Sequence, residues 1–469
     1  MLIPEAKHQD PSSLGLAGYA KVLCSAIFIS KHNEDFAHKH ASRVAVNLMH
    51  LPASDLRNLT YEIDYEKSQV IASLNGKIFR KAKFYGDQGS IIHPIDHDGI
   101  YFQPESVSTN LPNSENILWP AGDKLTSDPL PPEINQFKLQ SGLDLAFKNS
   151  SPVSAFVVIY KGRLIAEKYA TWASKDTLLE NWSMGKSLTG TLIGRLINDG
   201  HLNLNDRAPI PEWSSKTDPR SQILISDLMQ MSSGLKFNLH EVLETTPDGH
   251  TIIKTDYPDH YYIYSGAINA FEYVVNRPLQ FKPGTVGRYR NTDPLSLGYI
   301  IKRTVQNLGL NYLQYPQQAL FDKIGIRKLI LETDPYGNFL SSGFELGKAR
   351  DWARLGLLYL QDGIWQNQRL LPDGFVDFVR TPAPAWNNEE GEKSTSRYGG
   401  QWWLNTTGTW DAPNDSFYAA GAGGQMTLVI PSKEMVIVRL TDYEGSPSSI
   451  SKTQTQKAIK VILDSIESK

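Results

Sequence analysis

The sequence predicts an α/β protein: an antiparallel sheet flanked by helices, with a helical insertion, preceded by a smaller mixed N-terminal region. Strand-like runs stand at both ends of residues 153–469, at Val153–Tyr160 and Arg163–Tyr169 on one side and Gln425–Ile430 and Met435–Leu440 on the other. Most helical patterns lie between them, which is the order expected of one sheet built from both ends with helices on its faces. A Pro-rich stretch, Ser127-Asp128-Pro129-Leu130-Pro131-Pro132, favours extended chain. It sets the expected boundary between an N-terminal region at 1–127, of unassigned role, and a main domain at 128–469.

The elements follow in order. Val70–Leu74 reads as a strand, Asn75-Gly76 as a hairpin turn, and Lys77–Phe79 as the return. Val153–Tyr160 is apolar and ends at Lys161-Gly162, and Arg163–Tyr169 alternates, so the two form a hairpin. Ser183–Asn198 is a helix, with Met184, Leu188, Leu192, Ile193, Leu196 and Ile197 on one face and Gly200 just beyond its end. Gly190 and Gly194 weaken helix propensity, so close packing against a neighbour is the expected compensation. Short helices are expected at Ser226–Ser233 and Lys348–Leu360, and an amphipathic helix from about Thr453 to Ile466.

Composition narrows the function. With 40% hydrophobic and 21% charged residues the chain can fold a large core. A formal net charge of −3 gives no reason to expect nucleic acid or an anionic membrane surface as partner. Cys24 is the only cysteine, which excludes an internal disulfide and a cysteine metal site; a small buried residue is the expected role. The start, Met1-Leu2-Ile3-Pro4-Glu5-Ala6-Lys7, lacks the pattern of an export signal, although a trimmed chain would look the same. Val22–Ile29 is too short to span a bilayer. The expectation is a soluble chain, periplasmic or cytoplasmic. The spacings His38-x-His40 and His93-x-x-x-His97 could serve a metal, but without a third ligand they read as solvated loop histidines.

Catalytic candidates then emerge by elimination. There is no Gly-x-Ser-x-Gly elbow, and no histidine lies beyond His260, so an α/β-hydrolase triad, whose histidine comes last, is not expected. What remains is Ser183-Met184-Gly185-Lys186. A serine hydroxyl needs a base, and a lysine three residues on along a helix brings an amine within reach. Burial or nearby positive charge must keep that amine neutral. The helix N-terminus adds a favourable dipole for a developing oxyanion. The bland alternative is an N-cap serine with a solvated lysine. The same spacing recurs at Ser233/Lys236 and Ser449/Lys452, where turn and helix-start readings suffice.

Context decides between these. Asn181-Trp182-Ser183-Met184-Gly185-Lys186-Ser187, the stretch Leu192-Ile193-Gly194, and Asp199-Gly200-His201-Leu202-Asn203-Leu204-Asn205-Asp206 resemble the active-site helix of the serine β-lactamase-like, penicillin-recognising hydrolases. So does Ile225-Ser226-Asp227-Leu228-Met229-Gln230-Met231-Ser232-Ser233-Gly234-Leu235. Lys282-Pro283-Gly284 leading to Tyr289-Arg290-Asn291 resembles the family's Tyr-x-Asn element; Tyr336-Gly337-Asn338 lacks the Pro-Gly lead-in and reads as a turn. Ala422-Gly423-Gly424-Gln425 resembles its strand-edge triplet. The resemblance covers residues 150–469 with the elements in order, closest in style to the branch of carboxylesterases and 6-aminohexanoate-dimer hydrolase.

The resemblance implies acyl transfer on an ester or amide. Ser183 is the nucleophile, Lys186 and Tyr289 move the proton, and the N–H groups of Ser183 and Gln425 hold the oxyanion. Asn291, Gly424 and Gln425 are the substrate and oxyanion residues, a small molecule is the partner, and no metal or cofactor is required. Ala422 departs from the pattern, which has a cationic or polar residue there. That disfavours β-lactams and D-Ala-D-Ala peptides, whose carboxylate needs a partner. A cell-wall-type peptidase or β-lactamase, and a non-catalytic ligand-binding relative, are the alternatives. Trp182, Tyr264, Tyr398, Trp402 and Trp403 are candidates for the cleft wall or for the core, with the core favoured for Trp402 and Trp403.

Overall fold

The computed structural model describes residues 10–148, 152–238, 242–245, 251–254, 258–387, 397–443 and 449–467. The opening residues, and with them the reading of an absent export signal, lie outside it. Two helices come first, α1 (Pro11–Phe28) and α2 (Glu34–Asn47), then an antiparallel sheet of β1 (Leu59–Asp64), β2 (Gln69–Leu74), β3 (Ile78–Phe84) and β4 (Ser90–Ile92) in that order. β2, its turn and β3 fall where the Asn75-Gly76 signal put them. The helices were not foreseen. In α1 every residue from Ser13 to Phe28 is buried, so it has no polar face for periodicity to reveal.

α1 is anchored by a buried ion pair. Lys21 Nζ lies 2.9 Å from Glu332 Oε2, and Ser25 Oγ and the Ser90 N–H donate to Glu332 Oε1 at 2.8 and 2.6 Å. Leu16, Ala20 and Leu23 share one apolar core with Ile263, Tyr264 and Leu331. Cys24 is fully buried there, and burial pushes its thiol up to about 12. His40 and His93, expected as solvated loop residues, are buried instead: His40 sits inside α2 and His93 packs beside Asp98 and Tyr85. Sequence spacing gave no sign of the elements that cover them. Among the described residues no helix is long and apolar enough to cross a membrane.

The main sheet has seven strands. Its order is Arg397–Tyr398, Trp403–Leu404, Phe417–Gly421, Gln425–Ile430, Met435–Thr441, β5 (Val153–Tyr160) and β6 (Arg163–Tyr169), all antiparallel. β5 pairs directly with Met435–Thr441, from Tyr160 against Met435 to Val153 against Thr441. Period-two alternation gives the central strands Gln425–Ile430, Met435–Thr441 and β5 two buried faces. Phe156, Val158 and Ile437 face α3 (Gln136–Ala146) and the helix Ser449–Leu463, through Leu139, Leu143, Ile459 and Ile462. Val157, Ile159, Val436 and Val438 face the other way, into the core that holds Leu355 and Leu358 of the helix Ala349–Leu360. The intervening segment carries α4 (Met184–Asn198), Ile225–Met229, Asp259–Ser265, Ala270–Val275 and Thr292–Asn307. The expected architecture of one antiparallel sheet, helices on both faces and a helical insertion is the one observed.

Candidate active site

The site begins at a strained turn. β7 (Leu179–Glu180) pairs with Glu345–Gly347, and the Asn181 N–H donates to the Glu345 carbonyl at 2.9 Å. Trp182 then adopts φ +52°, a left-handed conformation costly for a bulky residue. Its ring is held by Phe344 and Tyr443 at centroid distances of 5.1 and 5.8 Å. The turn delivers Ser183 to the N-cap of α4, partly open to solvent. Among the described residues its side chain makes no capping bond, and Oγ lies 3.0 Å from Lys186 Nζ.

Lys186 is only 1% exposed. Its Nζ donates to the Ser342 carbonyl at 2.5 Å and lies 4.8 Å from the centre of the Tyr289 ring. Burial drives the amine from 10.5 down to about 7, against the opposing pull of the Glu345 carboxyl. Glu345 is itself buried, which pushes its carboxyl well up, and among the described residues neither oxygen finds a hydrogen-bond donor. It packs on the first turn of α4 so closely that a Cβ at Gly185 would come within 1.9 Å of Glu345 Oε1. Sequence reasoning passed over Glu345. An acid inside the run Phe344-Glu345-Leu346-Gly347 was a signal, but nothing local placed it beneath Lys186.

Some of the other candidates lie around this pair and some do not. Tyr289 stacks on Trp403 (5.2 Å, 28°), with Tyr398 edge-on to both at 6.1 and 4.9 Å. Tyr264, buried, shares a 2.8 Å hydrogen bond with Ser342 Oγ, in the same residue as the carbonyl that holds Lys186. Trp402 goes to the core against Tyr359, so the two adjacent tryptophans divide between core and site. Asn291 is completely buried at the N-cap of the helix Thr292–Asn307, and its Nδ2 donates to the His260 carbonyl at 2.9 Å.

The strand-edge triplet closes the site. Gly421 and Gln425 pair across a tight turn, with Gly423 and Gly424 at φ +79° and +90°. A Cβ at position 421 would stand 2.1 Å from the Asn181 carbonyl oxygen, so this turn abuts the segment that carries Ser183. Gln425 is buried; its Nε2 donates to the Thr441 carbonyl and Oγ1 at 3.0 and 2.9 Å, and Thr441 Oγ1 donates to the Gly423 carbonyl at 2.8 Å. The turn is therefore fixed from behind, and the side chain of Gln425 is committed away from the cleft.

The look-alike motifs have other employment. Ser233 Oγ donates to Asp293 Oδ1 at 2.7 Å while Lys236 is exposed. The N–H groups of Tyr336 and Asn338 both donate to Asp334 Oδ1, making the turn expected there. Among the described residues no group of three or more His, Cys, Asp or Glu could hold a metal ion.

Comparison with known proteins bears on the family and the fold. The chain is 26% identical over 303 residues to the 6-aminohexanoate-dimer hydrolase of Paenarthrobacter ureafaciens, covering 62% of this chain and 72% of that protein. Among solved structures, a family VIII carboxylesterase superposes with a TM-score of 0.55 at 14% identity, over 71% of this chain and 98% of that one. A Bacillus anthracis protein with a provisional 6-aminohexanoate-dimer hydrolase assignment gives 0.53 at 20%, over 76% and 87%. The family model described as Beta-lactamase matches residues 144–459, from α3 through both ends of the sheet to the last helix. The chain belongs to the beta-lactamase family, and it is a serine hydrolase.

Proposed function

We propose that the enzyme cleaves an ester or amide through an acyl-enzyme on Ser183. The observation that carries this is the failure of both halves of the bland alternative. Ser183 occupies the N-cap position without capping, and Lys186 is not solvated but buried and brought near neutrality. An uncommitted hydroxyl 3.0 Å from an amine that can be neutral at pH 7 is a nucleophile with its base. Ser183 Oγ attacks the carbonyl carbon and its proton passes to Lys186 Nζ. The N–H groups of Ser183 and Gln425 receive the oxyanion. The proton moves on, through Lys186 and Tyr289, to the leaving alcohol or amine, and the acyl–Oγ bond remains. Water, deprotonated by the same pair, breaks that bond and frees the acid.

The pH profile tests the base. A lysine at about 7 is neutral above that pH and protonated below it. The rate is therefore expected to rise as pH climbs through about 7 and to fall as pH drops below it. A rate that stays level down to pH 5 would remove Lys186 from the role.

Within the ester and amide class, Ala422 argues for substrates lacking a carboxylate beside the scissile bond. Arg439, the cation bonded to the triplet, is buried and donates to the Gly424 carbonyl and to Ser451 Oγ. A short-chain aryl ester is expected to be hydrolysed far faster than a penicillin or a D-Ala-D-Ala peptide. Ala422→Lys should improve the carboxylate-bearing substrates selectively. A charge-assisted hydrogen bond contributes about 1.5–3 kcal/mol, roughly tenfold to over a hundredfold in rate if formed in the transition state. Equal rates on penicillins and aryl esters in the unaltered enzyme would overturn this reading of Ala422.

A further inference from the structure

We propose that the N-terminal region is a working part of the catalytic centre. Through His40 it ties Glu180, beside the nucleophile, to Asp442, beside the oxyanion strand, and so sets the distance between the two N–H groups that receive the oxyanion. The proposal rests on the acyl-enzyme reading of Ser183.

The geometry is specific. His40, on α2, is buried, with Nε2 3.0 Å from Glu180 Oε2 and Nδ1 2.6 Å from Asp442 Oδ1. Both ring nitrogens can donate at once only in the imidazolium. Arg43, one turn further along α2, bonds the second oxygen of Asp442 and donates from Nε to the Tyr443 carbonyl at 3.1 Å. Glu180 stands three residues before Ser183, on the strand that leads into the Trp182 turn. Asp442 follows Thr441, whose carbonyl and hydroxyl fix Gln425 and Gly423. One imidazolium thus spans the two backbone segments that must hold their N–H groups a fixed distance apart.

The charges agree. Burial alone would lower the His40 pKa, but the carboxylates of Glu180 and Asp442 overcome it and hold the ring at about 9. The charged or titratable groups facing it are those two carboxylates, Arg43 on its own helix, and His32 from the α1–α2 connection. Burial and the His40 charge lower His32 to about 4, so it stays neutral. Without His40, two carboxylates from different segments would face each other across the gap with Arg43 reaching only one of them. His40 acts through Glu180 and Asp442 and is a positioning residue.

The test uses the full chain, a fluorophosphonate probe and p-nitrophenyl butyrate. In His40→Gln, Ser183 should still label to completion but about tenfold to a hundredfold more slowly, the scale of loss expected from a slight misplacement of reacting groups. The same fall is expected in kcat, with KM within about twofold. An alkaline limb near pH 9 in the unaltered enzyme should be missing from the variant, because the cation is lost as pH rises through 9. Labelling, kcat and pH profile equal to those of the unaltered enzyme would overturn the proposal. So would a loss of kcat matched by an equal loss of folded protein in circular dichroism. If His40→Gln does not fold, His40→Gln combined with Glu180→Gln removes the uncompensated charge; unaltered kcat in that double variant would equally overturn it. Failure of the parent reading looks different, since the unaltered protein would then leave Ser183 unlabelled.

Discussion

Ser183→Ala is expected to abolish turnover of every substrate, by about a thousandfold or more, as removal of a nucleophile from a cooperating set does. The fold should not notice. Ser183 is partly exposed, and among the described residues its side chain makes no capping bond that alanine would forfeit. Thermal unfolding and circular dichroism should match the unaltered protein. Mass spectrometry after fluorophosphonate treatment should find the label on Ser183 and none on the variant. A label elsewhere, with activity retained in the variant, would show that another residue is the nucleophile.

Lys186→Met is expected to be as inactive and yet more stable. Holding a lysine near 7 in the fold when it titrates at 10.5 outside costs stability at neutral pH, about 5 kcal/mol at roughly 1.4 kcal/mol per unit of pKa. Between pH 7 and 10.5 the unfolded chain binds a proton that the folded chain does not, so the penalty shrinks as pH rises through this window. Methionine fills similar space without charge. It leaves the Ser342 carbonyl without its donor, a loss of about 1–3 kcal/mol, so the net gain at pH 7 should be about 2–4 kcal/mol. Denaturation at pH 7 and pH 10 measures it: the variant should unfold later at pH 7, and the advantage should disappear by pH 10. Equal or lower stability at pH 7 would mean that the amine is not held against its solvation. A fold that stores this cost at one lysine exchanges stability for reactivity.

The proposed nucleophile, its proposed base and the three motifs could be picked out because each is encoded locally, as Ser and Lys on one helix face, Tyr-x-Asn after Pro-Gly, and a glycine turn ahead of a strand. The sheet was legible for the same reason, since β5, β6 and the strands at 425–430 and 435–441 are bounded by turns and built of β-formers. What escaped is what only tertiary packing defines. Glu345 becomes notable by lying under Lys186, 159 residues away in the chain, and His40 by lying between Glu180 and Asp442. α1 escaped because a helix buried all round shows no amphipathic period; Asn291 was named, but a motif fixes a residue's place and not which way its amide bonds.

The seven-stranded sheet also dictates an order of events during synthesis. The hairpin of β5 and β6 is made early, but the neighbour that covers the inner edge of β5 is Met435–Thr441, some 280 residues later. Until that strand leaves the ribosome, a run of eight buried apolar-rich positions presents unpaired N–H and C=O groups along one side. Closing so long a loop is slow, and the open edge is a template for pairing with other chains in the interval. Pairing of the β5 edge is thus a late step of folding, and until it is made that edge stays open.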